Sequence, residues 1–154
     1  MAQLRKTQTH SNPLIAPLNQ SLAGMIDLKL QAKQAHWNVK GANFIALHEL
    51  FDRVSGEVDG LADMIAERAV QLGGLAQGTL QDVSKNSRLP AYPGTTQDAR
   101  RHILAVGAAL SAQADLLRRG IDAAEKHGDK VTADLFTEAA GAADKLRWLV
   151  ESHA

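Results

Sequence analysis

The segment of residues 43–72 constrains the fold most, because it combines two chemically different faces in one helical repeat. Apolar side chains recur in it at helical spacing and predict a buried face, and they are Leu47, Leu50, Val54, Val58, Leu61, Ile65 and Leu72. His48 and Asp52 are four residues apart, as are Asp63 and Glu67, so each pair lies on one side of a helix. The segment therefore predicts a long helix with one packing face and one face of imidazole and carboxylate groups.

The chemistry of the second face favours a metal. Imidazole and carboxylate ligands suit a ferrous or similar first-row ion that changes oxidation state. Asp59 lies in the same arc of the helix as the two pairs. Thiolate zinc sites and iron–sulfur clusters are excluded, because the chain has no cysteine. A solvated acidic surface is the alternative, since Asp and Glu usually lie outside.

The distance along the helix decides how such a site could form. Asp52 and Asp63 are separated by roughly 16 Å at the rise of an α-helix, so both pairs cannot bind one ion within a single straight helix. In a two-fold dimer with antiparallel copies of this helix, His48 and Asp52 of one chain would meet Asp63 and Glu67 of the other, and two equivalent sites would form.

Two glycines lie between the pairs. Gly56 and Gly60 each weaken a helix by about 1 kcal/mol relative to alanine, but they allow two helix backbones to approach closely. We interpret them as part of the helix crossing, and simple tolerance of glycine in a long helix is the alternative.

Three further helices are predicted. The first begins at Asn12-Pro13, ends near Asn38, and has an apolar repeat of Leu14, Leu18, Leu22, Ile26 and Leu30. Gly73-Gly74 ends the helix of residues 43–72. The third begins at a capping box of Thr95 and Asp98 and ends near Gly128, and the fourth begins near Asp129 and includes Trp148 in its last turns.

Residues 75–94 separate the two pairs of helices. They are irregular, contain Gly78, Pro90 and Pro93, and include a candidate helical turn at residues 79–84. This connection is too long for a simple helical hairpin. The pattern predicts an all-α, ferritin-like four-helix bundle with a long crossover between the second and third helices.

Composition limits the class of protein. Its 154 residues fit one domain, which we assign to residues 12–154, and residues 1–11 form a predicted flexible tail with Arg5, Lys6 and His10. The formal net charge is zero, which argues against nucleic-acid binding by the overall charge but not by a basic tail. No apolar run approaches a membrane span, and the first residues do not resemble a signal peptide. These features predict a cytoplasmic protein with no membrane partner.

Several runs resemble the Dps family, the DNA-binding proteins from starved cells, which are also called miniferritins. They are QAHWNVKGANF at 34–44, HELFD at 48–52, DGLADMIAERA at 59–69, QLGG at 71–74 and TAD at 132–134, together with Trp148. The resemblance extends from about residue 14 to residue 152. It implies a hollow dodecamer built from two-fold dimers.

The resemblance implies a ferroxidase centre shared by two subunits. Its metal ligands are His36, His48 and Asp52 from one subunit, with Asp63 and Glu67 from the partner. Asp59 is an accessory candidate. Trp37 adjoins the site, where the family role is to intercept oxidising radicals; packing in the core is the alternative for this residue. Ferrous iron is the substrate, hydrogen peroxide is preferred over oxygen, and a ferric mineral collects inside the cage. Other divalent metals such as zinc could occupy the site.

The resemblance also implies an iron-entry pore and a DNA contact. Glu125, Asp129 and Asp134 are the acidic pore candidates, although Asp129 could instead cap a helix. Lys130 stands where some relatives have an acid. Arg5 and Lys6 are the candidates for a weak DNA contact, which would place the protein at the nucleoid and make binding depend strongly on salt.

Two other functions compete with an iron-oxidising cage that protects DNA. One is a structural nucleoid protein whose metal site is secondary. The other is a di-iron oxygenase on the same bundle, which is disfavoured because such enzymes take two Glu-x-x-His motifs from one chain and none occurs here.

Overall fold

The computed structural model describes residues 12–154, and the predicted tail of residues 1–11, including Arg5, Lys6 and His10, lies outside them. Within this range the chain forms α1 (Ile15–Asn38), α2 (Phe44–Gln71), α3 (Leu80–Asn86), α4 (Ala99–Lys126) and α5 (Lys130–Glu151). The helix α1 packs against α2, and α4 packs against α5, while α1–α4 and α2–α5 contacts join the two pairs. The predicted four-helix bundle with a long crossover is confirmed, and the short α3 lies in the crossover against α1.

The buried face of α1 differs from the predicted repeat. Apart from Ala23 and Gly24, its buried apolar residues are spaced by three and four positions and are Leu18, Leu22, Met25, Leu28, Ala32 and Ala35. The predicted stripe is wrong at its C-terminal end, because Ile26 is only partly buried and Leu30 is 48% exposed. A step of four residues exceeds one turn by about 40°, so a strict four-residue repeat rotates away from the core.

Helix starts required two corrections. The helix α1 begins at Ile15, two residues later than predicted, although the Asn12 side chain does accept a hydrogen bond from the Leu14 amide at 2.9 Å, as a capping side chain would. The helix α4 has Asp98 as its N-cap, with its side chain accepting from the Arg100 amide, so the predicted capping box beginning at Thr95 is wrong.

A capping box does occur in the crossover. The Thr79 hydroxyl accepts a hydrogen bond from the Asp82 amide, and the Asp82 carboxylate accepts one from the Thr79 amide, so Thr79 caps α3. The predicted helical turn is therefore present and continues to Asn86.

The end of α2 is set by two glycines, as predicted. Gly73 has a φ of +85°, a conformation that side chains other than glycine rarely adopt. Gly74 lies against Ile15, and a Cβ there would approach the Ile15 side chain to 2.5 Å. The pair ends the helix and holds its end against the start of α1. None of the helices within residues 12–154 is long and apolar enough to cross a membrane.

Candidate metal centre

The turn between α1 and α2 brings two histidines face to face. His36 lies in the last turn of α1, and His48 lies in the second turn of α2. Their rings stack with centroids 3.8 Å apart and planes inclined by 19°. The Nδ1 atom of His36 is 2.7 Å from the carbonyl oxygen of His48, and the Nδ1 atom of His48 is 2.8 Å from the carbonyl oxygen of His36. Each ring is thus held by the backbone of the other residue.

These two hydrogen bonds fix the chemistry of the rings. A carbonyl oxygen only accepts, so each Nδ1 carries the hydrogen and donates it. The lone pair of the neutral imidazole then lies on Nε2, and a histidine whose other nitrogen is bound in this way is oriented for metal binding. The Phe44 ring lies 5.1 Å from the ring of His48 and adds a further contact. Both histidines are therefore held in the tautomer that offers Nε2 to a metal.

Lysines of α1 bind two of the acidic candidates on α2. Lys33 donates a hydrogen bond to Asp52, and Lys29 donates one to Asp59 at 2.8 Å. The hydrogen bond and charge of Lys33 hold the pKa of Asp52 below its usual value. Each of these carboxylates is about half exposed. Asp52 is therefore ionised and already paired with a cation that a metal ion would have to replace.

These lysines were not among the predicted site residues. The available signal was spacing: Lys33 is three residues before His36 and four after Lys29, so all three lie on one side of α1. A helix that presents a histidine to α2 also presents these lysines.

The remaining two candidate ligands lie elsewhere on α2. Asp63 and Glu67 are exposed. Asp63 lies about three helical turns beyond Asp52 and about one turn beyond Asp59, and Glu67 lies one further turn along the helix. In the part of the chain that the structure describes, no group of three His, Asp or Glu side chains is placed to hold a metal ion. One chain thus presents two separate groups of ligand-type side chains.

The surroundings of the histidine pair are open. Trp37 is 67% exposed, so the alternative in which it packs in the core of its own chain is excluded. Gly56 and Gly60 are exposed, and a Cβ at either position would meet no atom within 4 Å. The exposed side of α2 therefore has room for another backbone at both glycines.

The three pore candidates separate into two environments. Glu125 and Asp134 line one surface cleft together with Lys130. Asp129 instead caps α5, accepting from the Thr132 amide at 2.9 Å, and both its carboxylate oxygens lie 3.0 Å from one Arg68 nitrogen. Desolvation raises the pKa of Asp129, but the hydrogen bonds from Thr132 and Arg68 outweigh it and leave the pKa lowered. The N-cap alternative for Asp129 is confirmed.

A second cleft, of about 300 Å³, lies between α2 and α5. It is lined by Glu67, Asp134 and Glu138 among others. One candidate metal ligand and one pore candidate therefore border the same cleft, a relation that sequence spacing alone could not give.

Comparison with known proteins identifies the family. A model of the ferritin-like domain matches residues 15–154. The DNA protection during starvation protein of Agrobacterium fabrum is 46% identical over 140 residues, which cover 91% of this chain and 86% of that protein. The chain belongs to the Dps family. This confirms the resemblance seen in the sequence.

Solved Dps structures agree with the fold. DpsA14 from Streptomyces coelicolor superposes with a TM-score of 0.88 at 33% identity, covering 93% of this chain and 84% of that one. Dps from Microbacterium arborescens in its high-iron form gives a TM-score of 0.85 at 31% identity, covering 93% of this chain and 96% of that one. The bundle and its crossover are therefore those of Dps proteins.

Proposed function

We propose that this protein oxidises ferrous iron, preferentially with hydrogen peroxide, stores the ferric product in a cage and thereby protects DNA from oxidative damage. The observation that carries the proposal is the stacked pair of His36 and His48, whose Nδ1 atoms are engaged and whose Nε2 atoms are left for a metal. Membership of the Dps family supports it, as does the high-iron form of the relative from Microbacterium arborescens.

The proposed centre takes ligands from two chains. One chain supplies His36, His48 and Asp52, and an antiparallel partner supplies Asp63 and Glu67. The length of α2 supports this arrangement, since Asp52 and Asp63 are separated by roughly 16 Å along one helix. Two identical sites then form in each two-fold dimer.

The exposed side of α2 supports such a dimer. Ile45 and Met64 are 61% and 42% exposed, so the helix leaves apolar side chains uncovered in the single chain. Burial of apolar surface drives most protein association. Gly56 and Gly60 would let the two copies of α2 approach closely, and six such dimers would make the dodecamer of the family.

The ligand set fits iron oxidation. Carboxylates stabilise the ferric product, and neutral imidazoles retain affinity for the ferrous substrate. Five protein ligands shared by the site leave positions open for the oxidant and for release of the product. In this proposal Asp59 serves as an accessory ligand and zinc competes for the site. The role proposed for Trp37, which follows His36 in the sequence and is exposed, is to intercept radicals.

The route of iron follows from the acidic clefts. Glu125 and Asp134 are the proposed entry residues, and Asp134 shares its second cleft with Glu67. Ferrous iron would pass from the entry to the dimer site along this side of α5. The proposed location of the protein is the cytoplasm, at the nucleoid when it binds DNA.

The direct test is an iron-oxidation assay on the purified oligomer. We expect ferrous iron to be oxidised faster with peroxide than with air, and hydroxyl radicals, measured with a spin trap, to fall when the protein is present. Plasmid DNA in the same mixture should stay intact, and added zinc should slow oxidation. Rates and radical yields equal to those of a protein-free mixture would contradict the proposal.

Lys33 provides a second test, because its ammonium group occupies the place of a metal beside Asp52. We expect Lys33→Met to tighten binding of the first divalent ion by about fivefold. The ion then no longer has to displace Lys33 from Asp52, and a pair of unit charges at contact distance in water is worth about 1 kcal/mol. Titration calorimetry with zinc measures this affinity. Lys29→Met, which removes the partner of Asp59, is the matched control and should change zinc binding less. Weaker binding by Lys33→Met would show instead that Lys33 positions Asp52 for the metal.

DNA contact is a separate part of the proposal, supported by the names of the relatives, which are DNA protection during starvation proteins. We assign it to Arg5 and Lys6, repeated on every subunit, so that many weak contacts add. We expect a retarded DNA band at low salt that disappears as salt rises. Deleting residues 1–11 should abolish the shift without changing iron oxidation. A band shift that survives the deletion would place the DNA contact elsewhere. If the full-length protein shifts no DNA at low salt, the DNA-binding part of the proposal is wrong and iron oxidation remains.

A further inference from the structure

A buried histidine outside the metal centre joins the crossover to α4. His102 is fully buried in the first turns of α4. Its Nε2 lies 3.0 Å from the carbonyl oxygen of Thr96, and its Nδ1 makes a hydrogen bond with the hydroxyl of Tyr92. Because the carbonyl accepts, Nε2 carries the hydrogen, and Nδ1 accepts from the Tyr92 hydroxyl. The neutral imidazole thus makes one hydrogen bond with Tyr92 and one with Thr96, the two ends of residues 92–96.

The surroundings of His102 favour this neutral form. From α2 the imidazole meets the apolar ring of Phe51, at 6.4 Å between centroids, and from the crossover it meets the Tyr92 phenol. Burial lowers the pKa of His102, although the Thr96 carbonyl and the charge of Asp98 act in the opposite direction. Burial also raises the pKa of Tyr92 to about 12, so the phenol remains a hydrogen-bond donor at neutral pH.

The same end of the crossover is attached to the turn between α1 and α2. The amide of Lys40 donates to the carbonyl oxygen of Gln97 at 3.0 Å, next to Thr96. Lys40 follows Val39, the buried C-cap of α1, and His36 lies in the last turn of that helix. Movement of residues 92–97 would therefore reach the backbone beside the histidine pair.

We propose that His102 is an acid-sensitive latch, in which protonation of Nδ1 places a charge in the buried ring, reverses the hydrogen bond with the Tyr92 hydroxyl, and releases residues 92–97 from α4 and from Lys40. The proton comes from solvent and adds to the lone pair of Nδ1, so the ring becomes a cation with hydrogens on both nitrogens. A buried cation is stable only when it is hydrated or paired. Opening of the crossover admits the water that it needs.

The direction of the pH effect follows from linkage. The folded-state pKa of His102 lies below its ordinary value of 6.5, so the unfolded or opened form binds more protons between these two values. The latch contributes its full stability above pH 6.5 and loses it as pH falls through the folded-state pKa. Acidification, not alkalinisation, therefore opens the crossover.

Hydrogen exchange measured by NMR on the full-length oligomer tests the latch. The Lys40 amide reports its own bond to Gln97, and Tyr92 is the only tyrosine, so its ring signals need no assignment by mutation. Between about pH 7.5 and about pH 5, we expect Lys40 protection, corrected for intrinsic exchange, to fall by up to about tenfold per pH unit. The Tyr92 signals should shift over the same range, while amides of the buried residues Ala139 and Ala140 keep their protection.

Substitution separates His102 from other titrating groups. His102→Gln preserves a donor for Thr96 but cannot titrate in this range, so Lys40 protection should become independent of pH. His153→Gln, which alters a histidine at the end of α5, is the matched control and should keep the wild-type pH dependence. A pH-dependent Lys40 amide in His102→Gln, or an invariant one in the wild type, would overturn the proposal.

A direct titration covers the case in which His102→Gln does not fold. In the wild type carrying isotope-labelled histidine, the imidazole of His102 should titrate with the same midpoint as the loss of Lys40 protection. Different midpoints would overturn the latch, because the opening would then follow another group.

Discussion

Mixed oligomers of two inactive variants should regain about a quarter of the wild-type iron-oxidising sites, because half of randomly formed dimers are mixed and each mixed dimer contains one intact site. The first variant is His36→Ala with His48→Ala, and the second is Asp63→Ala with Glu67→Ala. Alone, each should lose at least about 100-fold in peroxide-dependent oxidation, since even residues that only orient metal ligands contribute 10–100-fold. The two are co-expressed with different tags, and the mixed cages are purified and assayed.

A matched control removes ligands from the same side of the site. His36→Ala with His48→Ala, mixed with Asp52→Ala, leaves every centre with a defect and should restore no activity. Recovery in the first mixture and none in the second would place the two groups of ligands on different subunits. Equal activity in both mixtures, or none in either while the cages remain assembled, would contradict the shared centre.

The sequence predicted the long helices because their apolar residues repeat at helical spacing over many turns. The helix of residues 43–72 agrees with α2 to within one residue at each end, since Gly73 and a turn at Gly41 to Asn43 set its limits. Helix starts were harder, because Asp98 and not Thr95 caps α4, and the Asn12 side chain bonds within a turn that precedes α1. The choice between a cap and a turn depends on backbone direction, which residue type alone does not specify.

The candidate site was predictable where spacing along one helix decides it. His48, Asp52, Asp63 and Glu67 follow from α2 alone. The reciprocal hydrogen bonds between His36 and His48 could not be predicted in this way, because they depend on the turn that folds α1 back onto α2. The contact of Lys33 with Asp52 was missed for the same reason, since it joins two different helices.

Contacts between distant segments were likewise beyond the sequence. The ion pair of Arg68 with Asp129 joins α2 to the start of α5, and the bonds of His102 join α4 to the crossover. Nothing in the local pattern distinguishes these side chains from solvated ones. Such contacts are needed to assign the role of a side chain. From the sequence, Asp129 could be either a pore residue or an N-cap, and its contact with Arg68 favours the second.

Asp129→Ala should lower the free energy of unfolding by about 2–3 kcal/mol, the sum of a lost N-cap and the loss of the partner of Arg68. Both side chains are more than four-fifths buried, so water compensates little of this loss. Glu125→Gln and Asp134→Asn are the matched controls on the exposed cleft. They should change stability by less than about 0.5 kcal/mol while slowing iron uptake. Urea unfolding at one fixed protein concentration, with iron uptake measured on the same samples, separates the two effects.

The pH dependence of this difference identifies its cause. The pKa of Asp129 is lowered in the fold from an ordinary value of 3.8, so its contribution is fully present above that pH and is lost as pH falls through the folded-state pKa. The stability gap between wild type and Asp129→Ala should therefore be constant near neutrality and close only in strong acid. An Asp129→Ala protein that unfolds like the wild type but takes up iron slowly would contradict this assignment. The Asp129 carboxylate would then act on the entering cation, as a pore residue, and not on Arg68 and the N-terminus of α5.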